Sequence, residues 1–588
     1  MKTIQFKKAR VLFAGILVCF LAILLIKNYS EQIGRAFSKR NAGNVGEPTL
    51  GKNVPMTPKH EPPIEDAGSI ESGWVKPKIA RPGDDGRPVI LLPEEEEKAK
   101  NQWSLNEFNM VAAAKIPLDR TLPDFRHKMC KDIDYNVTKL PKTSIIVIFH
   151  NEEYYTLLRT ATSCYNRSPP HLLKEIILVD DFSERDHLKE PLERYVNAHY
   201  EGKVRVVRTP SRHGLIRAKN FGSKHATGDA LIFLDSHCEC TEGWLPPLLA
   251  ALRDNPKTVV QPVIPGIDQQ TLAFQQSQVS LSAQGTFEWS MLFFWRDIPQ
   301  HDQKLRKTPV DRIRSPTLAG GLFGLMREWW EHLGRYDDGM ELWGGENLEL
   351  SFKSWLCGGQ VQYIPCSHVG HIYRGKHPYH WYKPGPDRAF TVNARRLAEV
   401  WLDEYKKFFY EVAPDAKTLD MGDLSEQLAN KKRLNCKPFK YFITDVVIDM
   451  HPPTLKNKAE GSMKTLYDNL CVDSYNEKTG PAKLFSCHHQ GGNQAVSLSE
   501  IGEIRLHITS CLENSPGTSQ VSMAQCNGSQ KQMWDHKKGE GWQVIHKVTH
   551  QCLTQHETTI KLADCIDESK KESKPQKWLF DKYYDPPQ

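Results

Sequence analysis

Four short runs of almost unbroken apolar character mark the middle of the chain: Ser144–Phe149 (SIIVIF), Glu175–Asp180 (EIILVD), Val204–Val207 (VRVV) and Ala230–Leu234 (ALIFL). Runs of this length without alternation are the pattern of strands buried on both faces. Between them, over Tyr154–Asn166, Glu184–Tyr200 and Leu215–Ala226, apolar positions recur at helical spacing. Strand and helix in alternation predict an α/β domain with a right-handed, doubly wound parallel sheet. Ligands of such sheets sit at the carboxyl ends of the strands. Two of these ends carry acids, Asp180 with Asp181 and Asp235. No G-x-G-x-x-G and no Walker lysine follows the first strand, which excludes dinucleotide-dependent dehydrogenases and P-loop NTPases.

The last quarter has a different period. Cysteines fall at 471, 511 and 552 and again at 487, 526 and 565, spacings of 40, 41, 39 and 39 residues. Gln532-Met-Trp534 and Gln576-Lys-Trp578 recur in phase, with Gln494-Ala-Val496 a weakened first copy. Three copies of short strands and turns predict a threefold all-β module. Cysteines at equivalent places suggest one bridge per copy: Cys471–Cys487, Cys511–Cys526 and Cys552–Cys565.

The other end carries an apolar stretch. Val11–Ile26 has 16 residues without a charge, with Lys2, Lys7, Lys8 and Arg10 before it and Lys27 after. A bilayer span takes roughly 17–25 residues, so a segment over 11–27 is workable with snorkelling lysines. Positive charge in front places residues 1–10 in the cytosol and the remainder across the membrane. No small-x-small cleavage site follows, which favours an uncleaved type II anchor over a signal peptide. Residues 28–93 are rich in Pro, Gly and charge and read as a stem; helical periodicity begins near Glu94.

Composition then narrows the classes. The chain has 588 residues, enough for roughly three or four structural units. Hydrophobic residues are 39% and include 14 Trp, which excludes wholesale disorder. The net charge of +6 over this length argues against a nucleic-acid binder, which needs a concentrated basic surface. A luminal compartment is oxidising, so the 13 cysteines beyond Cys19 can pair, and the sequons at Asn136 and Asn527 are usable there.

Chemistry concentrates in two places. Asp235-Ser-His237 follows an apolar strand, and residues i and i+2 of an extended chain point the same way, so carboxylate and imidazole can meet on one ion. Hard oxygen with imidazole suits Mn²⁺ or a similar divalent ion. A zinc reading of His237-Cys-Glu-Cys240 lacks a partner pair, and both cysteines are assigned to packing. The second place is Leu342-Trp-Gly-Gly-Glu-Asn347, with His368, His371, Arg374, His377 and Tyr379 downstream. Its glycines, like those of Ala319-Gly-Gly-Leu-Phe323, permit a ligand to approach the backbone, and Glu346 can accept sugar hydroxyls.

Asp235-Ser-His237-Cys-Glu-Cys240, Trp343-Gly-Gly-Glu-Asn-Leu-Glu-Leu350 and Val369-Gly-His371-Ile-Tyr-Arg374, followed by the threefold Cys/QxW module, resemble the polypeptide N-acetylgalactosaminyltransferases from about Phe108 to the C-terminus. That resemblance implies a GT-A catalytic domain at 94–445, a linker at 446–459 and a ricin-type β-trefoil lectin domain at 460–588. It implies transfer of GalNAc from UDP-GalNAc to Ser or Thr of peptides or glycopeptides, with retention, with Mn²⁺ and in the Golgi lumen. Asp235, His237 and His371 match the metal ligands. Asp181 and Arg212 match the holders of uridine. Arg374, His377 and Tyr379 match the loop that closes over the diphosphate. Ser236, Glu346, Gly320 and Gly321 match the donor pocket, and Trp343 the residue that swings in beside the leaving group. In the trefoil, Asp473, His488 and Asn493 match a sugar site; the second and third repeats offer Glu513 and Thr554 in place of the Asp. The remaining bridges implied are Cys130–Cys366 and Cys357–Cys436.

The chain departs from the family pattern where Arg217-Ala-Lys219 replaces Arg-x-Arg. Lys219 keeps the charge without the planar two-pronged donor, which puts its contact with the donor in question. The intact Asp235/His237/His371 set favours an active transferase over two other readings, an inert GalNAc-binding lectin and a sugar-nucleotide hydrolase.

Overall fold

β1 (Thr143–Phe149) is buried along its whole length, as its unbroken apolar run requires. With β2 (Leu173–Asp180), β3 (Val204–Arg208) and β4 (Ala230–Asp235) it forms the parallel order β4–β1–β2–β3. Alternate β1 residues feed opposite faces, as a period of two demands. Ile145 and Val147 pack with Leu157 and Leu158 of α1 (Tyr154–Asn166) and Leu192 and Val196 of α2 (Glu190–His199). Ile146 and Ile148 share the other core with Ile216 and Ala218 of α3 (Leu215–Lys224). The helix read from Glu184 starts instead at Glu190, because Pro191 has no N–H to give to an earlier turn and a 3-10 turn fills Asp186–Leu188.

Beyond β4 the sheet is mixed rather than parallel throughout. β5 (Cys238–Cys240) follows directly, then α4 (Leu245–Asp254) and β6 (Thr258–Val263). β7 (Phe323–Met326) slots between β4 and β6 and runs antiparallel to both. It is reached through an excursion containing the hairpin Ala283–Phe287/Phe293–Asp297, so no helical crossover forces it parallel. After α5 (Glu346–Leu356), β8 (Gln360–Ile372) pairs parallel with β6 and, at its far end, antiparallel with β5.

The computed structural model describes residues 81–584, except 278–280, 377–385, 448–450, 476, 490–491, 507, 516, 537–538 and 540–541. The apolar run at 11–27 lies outside the described residues; among those described, no helix is long and apolar enough to cross a membrane. Residues 81–92, read as stem, pack against the folded body. Val89 and Leu91 join Phe108, Ile116, Ile267 and Phe274, and the Val89 N–H donates to Thr271 O.

The C-terminal repeats close a β-trefoil around Val472, Leu512, Leu553, Trp534 and Trp578. The motif glutamines do the same work three times. Gln494, Gln532 and Gln576 each accept from the N–H after the repeat's second cysteine (His488, Asn527, Ile566; 3.0, 2.9 and 2.8 Å). Each also donates to a backbone carbonyl, of Ser486, Gln525 or Asp564. The two tryptophans donate alike, Trp534 to Leu512 O and Trp578 to Leu553 O. Val496 replaces the indole in the first copy and has no side-chain N–H to make such a bond.

Disulfides join Cys471–Cys487, Cys511–Cys526 and Cys552–Cys565, one per repeat, and Cys130–Cys366 and Cys357–Cys436 in the α/β domain. Cys164, Cys238 and Cys240 are unbridged and buried. Both sequon asparagines are exposed on turns, Asn136 accepting from Thr138 Oγ1 and Asn527 from the Ser529 N–H.

One buried histidine makes the fold sensitive to acid. His368 on β8 lies 3.1 Å from Pro365 O, and burial lowers its pKa from 6.5 to about 4. The unfolded chain takes up a proton in that window that the folded chain refuses, so stability falls as pH drops from 6.5 towards 4, by up to about 1.4 kcal/mol per unit. Comparing Tm at pH 7 and pH 5, the loss is expected to shrink in His368→Gln; an unchanged slope would assign it elsewhere.

Candidate active site

The topology brings distant residues to one edge. Asp235 ends β4, level with Ile148 of β1. The turn after it delivers His237, and the β5–β8 pairing sets His371 opposite Cys238, next to His237. The result is a cluster of Asp235, His237 and His371 whose ligand atoms all lie within 4.8 Å of one another. The imidazole rings are 4.6 Å apart, and His371 Nε2 is 3.3 Å from Asp235 Oδ2. One carboxylate oxygen and two imidazole nitrogens are the donor set of a divalent cation, and the His371 Nδ1 is buried without a hydrogen-bond partner. The residues therefore fit a metal ion.

Their electrostatics suit that task. Burial pushes the Asp235 carboxyl up, but the hydrogen bond and charge of His371, helped by Lys219, hold it below the usual carboxylate range. Burial, with Arg374 alongside, lowers His237 to about 4, so its ring is neutral at pH 7. A ligating imidazole must be neutral.

Glu152, which the sequence reading passed over, organises this cluster. It is fully buried on the loop after β1, and its Oε2 is 2.9 Å from His237 Nδ1, 2.7 Å from Ser236 Oγ and 2.6 Å from Arg374 Nη2. Asn106 donates to the other oxygen at 2.9 Å. Burial raises its pKa, but the neighbouring Arg374 and His237 carry it well below the ordinary value. A proton on Nδ1 aimed at Glu152 leaves Nε2 free for a metal, the usual arrangement around a ligating histidine. The signal available was position, an acid three residues past the end of a central strand.

A cavity of about 340 Å³ opens over the cluster, lined by His150, Asp181, Arg212, Ser236, Gly321, Trp343, Glu346 and Arg374 among others. Arg212 pairs with Asp181, which also accepts from the His213 and Gly214 N–H groups at 2.7 and 2.9 Å. Glu346 is buried and accepts from the Gly344 N–H at 2.7 Å. Trp343 is 37% exposed beside Phe390, on a loop where Leu342, Gly344 and Gly345 all have left-handed backbones. Lys219 is completely buried and donates to Gly320 O at 3.0 Å, behind the cavity wall. His377 and Tyr379 lie outside the described residues.

Gly321 is where the backbone meets the Asp235/His237/His371 cluster. A Cβ there would stand 2.6 Å from Asp235 Oδ2, a distance real Cβ atoms do not tolerate. Gly321→Ala is expected to displace the carboxylate and weaken divalent-cation binding by about tenfold or more while Tm changes little. Titration of the variant with Mn²⁺ checks this; unaltered affinity would show that the carboxylate can retreat freely.

A second polar cluster sits on the trefoil. Buried Asp473 accepts from Asn493 Nδ2 at 2.8 and 2.9 Å, Gln494 Nε2 at 2.9 Å and the Tyr475 N–H at 2.7 Å. His488 Nε2 is 3.1 Å from Asn493 Oδ1. Two exposed aromatics not singled out from sequence stand beside them, Phe485 and Tyr475, their rings 5.8 Å apart edge to face. In the other repeats Glu513 and Thr554 meet the motif glutamine, but Lys531 and Pro575 occupy the position of Asn493. The complete set exists in the first repeat alone.

Residues 144–330 match the family model of glycosyl transferase family 2, 307–380 that of the N-terminal domain of galactosyltransferase, and 459–578 that of the ricin-type β-trefoil lectin domain. The chain is 40% identical over 523 residues to polypeptide N-acetylgalactosaminyltransferase 5 of Caenorhabditis elegans, covering 87% of this chain and 81% of that protein. It is 40% identical over 506 residues to human polypeptide N-acetylgalactosaminyltransferase 13, covering 85% and 89%. Among solved structures it is similar to GalNAc-T7 with UDP, GalNAc and Mn²⁺, at 34% identity and a TM-score of 0.61, over 88% of this chain and 95% of that one. An α/β domain with an acid–imidazole cluster at its strand ends, a trefoil behind it and identity of this depth along nearly the whole described length make the chain a member of the polypeptide N-acetylgalactosaminyltransferase family.

Proposed function

We propose that the protein transfers GalNAc from UDP-GalNAc to Ser or Thr hydroxyls of polypeptides, with retention at the anomeric carbon and Mn²⁺ as its cation, and so starts mucin-type O-glycosylation. The observation that carries this reading is the meeting of Asp235, His237 and His371 beneath a cavity that also holds the Asp181/Arg212 pair and Glu346. Asp235, His237 and His371 would hold the ion, which when bound supplies positive charge to a departing diphosphate.

The chain's own side chains do the rest. Asp181 and Arg212 bind the uridine half, and Arg212 and Arg374 present guanidinium groups to phosphate oxygens. Glu346 accepts hydroxyls of the sugar, and the Gly320–Gly321 backbone bounds its pocket. Trp343, on its glycine-flanked loop, covers the leaving group and excludes water. On the trefoil, Asp473, Asn493 and His488 hold a GalNAc already present on the acceptor, with Phe485 against its apolar face. Five disulfides and two exposed sequons support a luminal setting, and the apolar run at 11–27 a type II anchor in the Golgi membrane.

Incubation with UDP-GalNAc, Mn²⁺ and a panel of Ser/Thr peptides and glycopeptides tests the reading. One N-acetylhexosamine added per turnover, abolished by chelation, is expected. UDP release that needs no acceptor would establish a hydrolase, and donor binding without turnover on any acceptor would leave only a lectin.

A further inference from the structure

Lys219 sits on α3 with no part of its side chain in water. A buried ammonium is costly unless hydrogen bonds and opposite charge surround it. Its Nζ donates to Gly320 O at 3.0 Å and lies 5.2 Å from the centre of the Phe323 ring. Asp235 and Glu346 are the acids close enough to act on its charge. It is absent from the lining of the cavity, whereas Ala319, Gly321, Asp235 and Glu346 all face it.

The turn that Lys219 touches is held from every side. The Leu318 N–H donates to Ser351 Oγ at 3.0 Å, the Ala319 N–H to Gln261 Oε1 at 2.7 Å, and Asn347 Nδ2 to Leu318 O at 3.0 Å. Gly320 has a left-handed backbone, φ +105°, and a Cβ on it would come within 2.8 Å of Asn347 Cβ. Gly321 leaves no space against Asp235. Lys219 supplies the remaining clamp, on the Gly320 carbonyl.

We infer that Lys219 is a positioning residue: its ammonium pins the Gly320–Gly321 backbone from behind and places a cation near Asp235 and Glu346, without itself touching the donor. This rests on the transferase reading above and extends it by assigning the sugar part of donor recognition to a buried clamp.

The test separates sugar from nucleotide. Binding of UDP and of UDP-GalNAc, each with Mn²⁺, and of Mn²⁺ alone would be measured by calorimetry on the wild-type protein, Lys219→Met and Lys219→Arg. In Lys219→Met, UDP-GalNAc is expected to bind at least tenfold more weakly while UDP stays within about threefold. Mn²⁺ alone should bind as tightly or more tightly, because a like charge near Asp235 has gone. Lys219→Arg keeps the charge and a donor to Gly320 O and should retain the UDP-GalNAc preference within about threefold; it also serves if the Met variant folds poorly. Equal losses for UDP and UDP-GalNAc would mean that Lys219 contacts phosphate, and no loss for either would mean that it merely fills space. Either result overturns the inference. Wild-type protein that bound neither nucleotide would overturn the transferase reading first.

Discussion

Asp235→Asn is expected to lower GalNAc transfer by about a thousandfold or more, with little change in Tm. The amide keeps the shape of the side chain and a hydrogen-bonding oxygen for His371, 3.3 Å away, so the fold has no reason to loosen. What disappears is the formal negative charge of a cluster whose other two members are imidazoles. Without it a divalent cation is held only by weak neutral donors, and the charge that would offset a departing diphosphate is lost; transition-state charge stabilisation of this kind is worth several kcal/mol. Two measurements check the chain of cause: Mn²⁺ affinity, followed by the electron-spin signal of the free ion, and turnover at saturating donor. A variant that kept wild-type affinity and wild-type turnover would show that the cluster is not the catalytic metal site. His237→Ala should act in the same direction and in addition disturb Glu152, whose Oε2 would lose one of its three partners.

The second large effect belongs to the trefoil. Asp473→Ala is expected to abolish measurable binding of GalNAc-bearing peptides to the lectin domain and to remove any advantage of glycosylated over bare acceptors, leaving transfer to bare peptides intact. Asp473 is buried, and three donors, Asn493 Nδ2, Gln494 Nε2 and the Tyr475 N–H, make four contacts with it. Its removal frees Asn493 and strips a site of its charged acceptor, a loss of roughly 1.5–3 kcal/mol, or about ten- to a hundredfold in affinity. His488→Ala, which removes the ring beside Asn493 and leaves Asp473 in place, gives the milder comparison and guards against a folding defect. If both variants bind glycopeptide as well as the wild type, the sugar site is not in the first repeat, and Glu513 or Thr554 would have to be reconsidered.

Much of this architecture could be read from the chain because the physical signals were strong and local. The four apolar runs became β1 to β4 with shifts of one or two residues; β1, β2 and β4 are buried almost throughout, and β3, at the edge of the sheet, is half-buried beyond Val204. The trefoil announced itself by period, because three units closing one core must repeat the same glutamine and cysteine contacts. Elements whose partners are remote were less legible. β7 is four residues long, and nothing in Phe323–Met326 says that it will run antiparallel between β4 and β6. Glu152 drew no reading from sequence; its role exists only because Ser236, His237 and Arg374 arrive from 84, 85 and 222 residues away. Lys219 could be flagged as a departure, but whether its ammonium faced the ligand or the backbone depended on Gly320, more than a hundred positions on.

One oxygen of Glu152 receives the His237 ring and an arginine at the cavity at the same time. Any pull exerted on Arg374 by an incoming phosphate therefore alters how firmly the His237 ring is oriented. Grip on the cation and grip on the nucleotide become two faces of a single equilibrium. By thermodynamic reciprocity, whatever factor the nucleotide imposes on cation affinity, the cation imposes on the nucleotide. On the transferase reading, raising either one in a titration is expected to tighten the protein's hold on the other through that shared carboxylate oxygen.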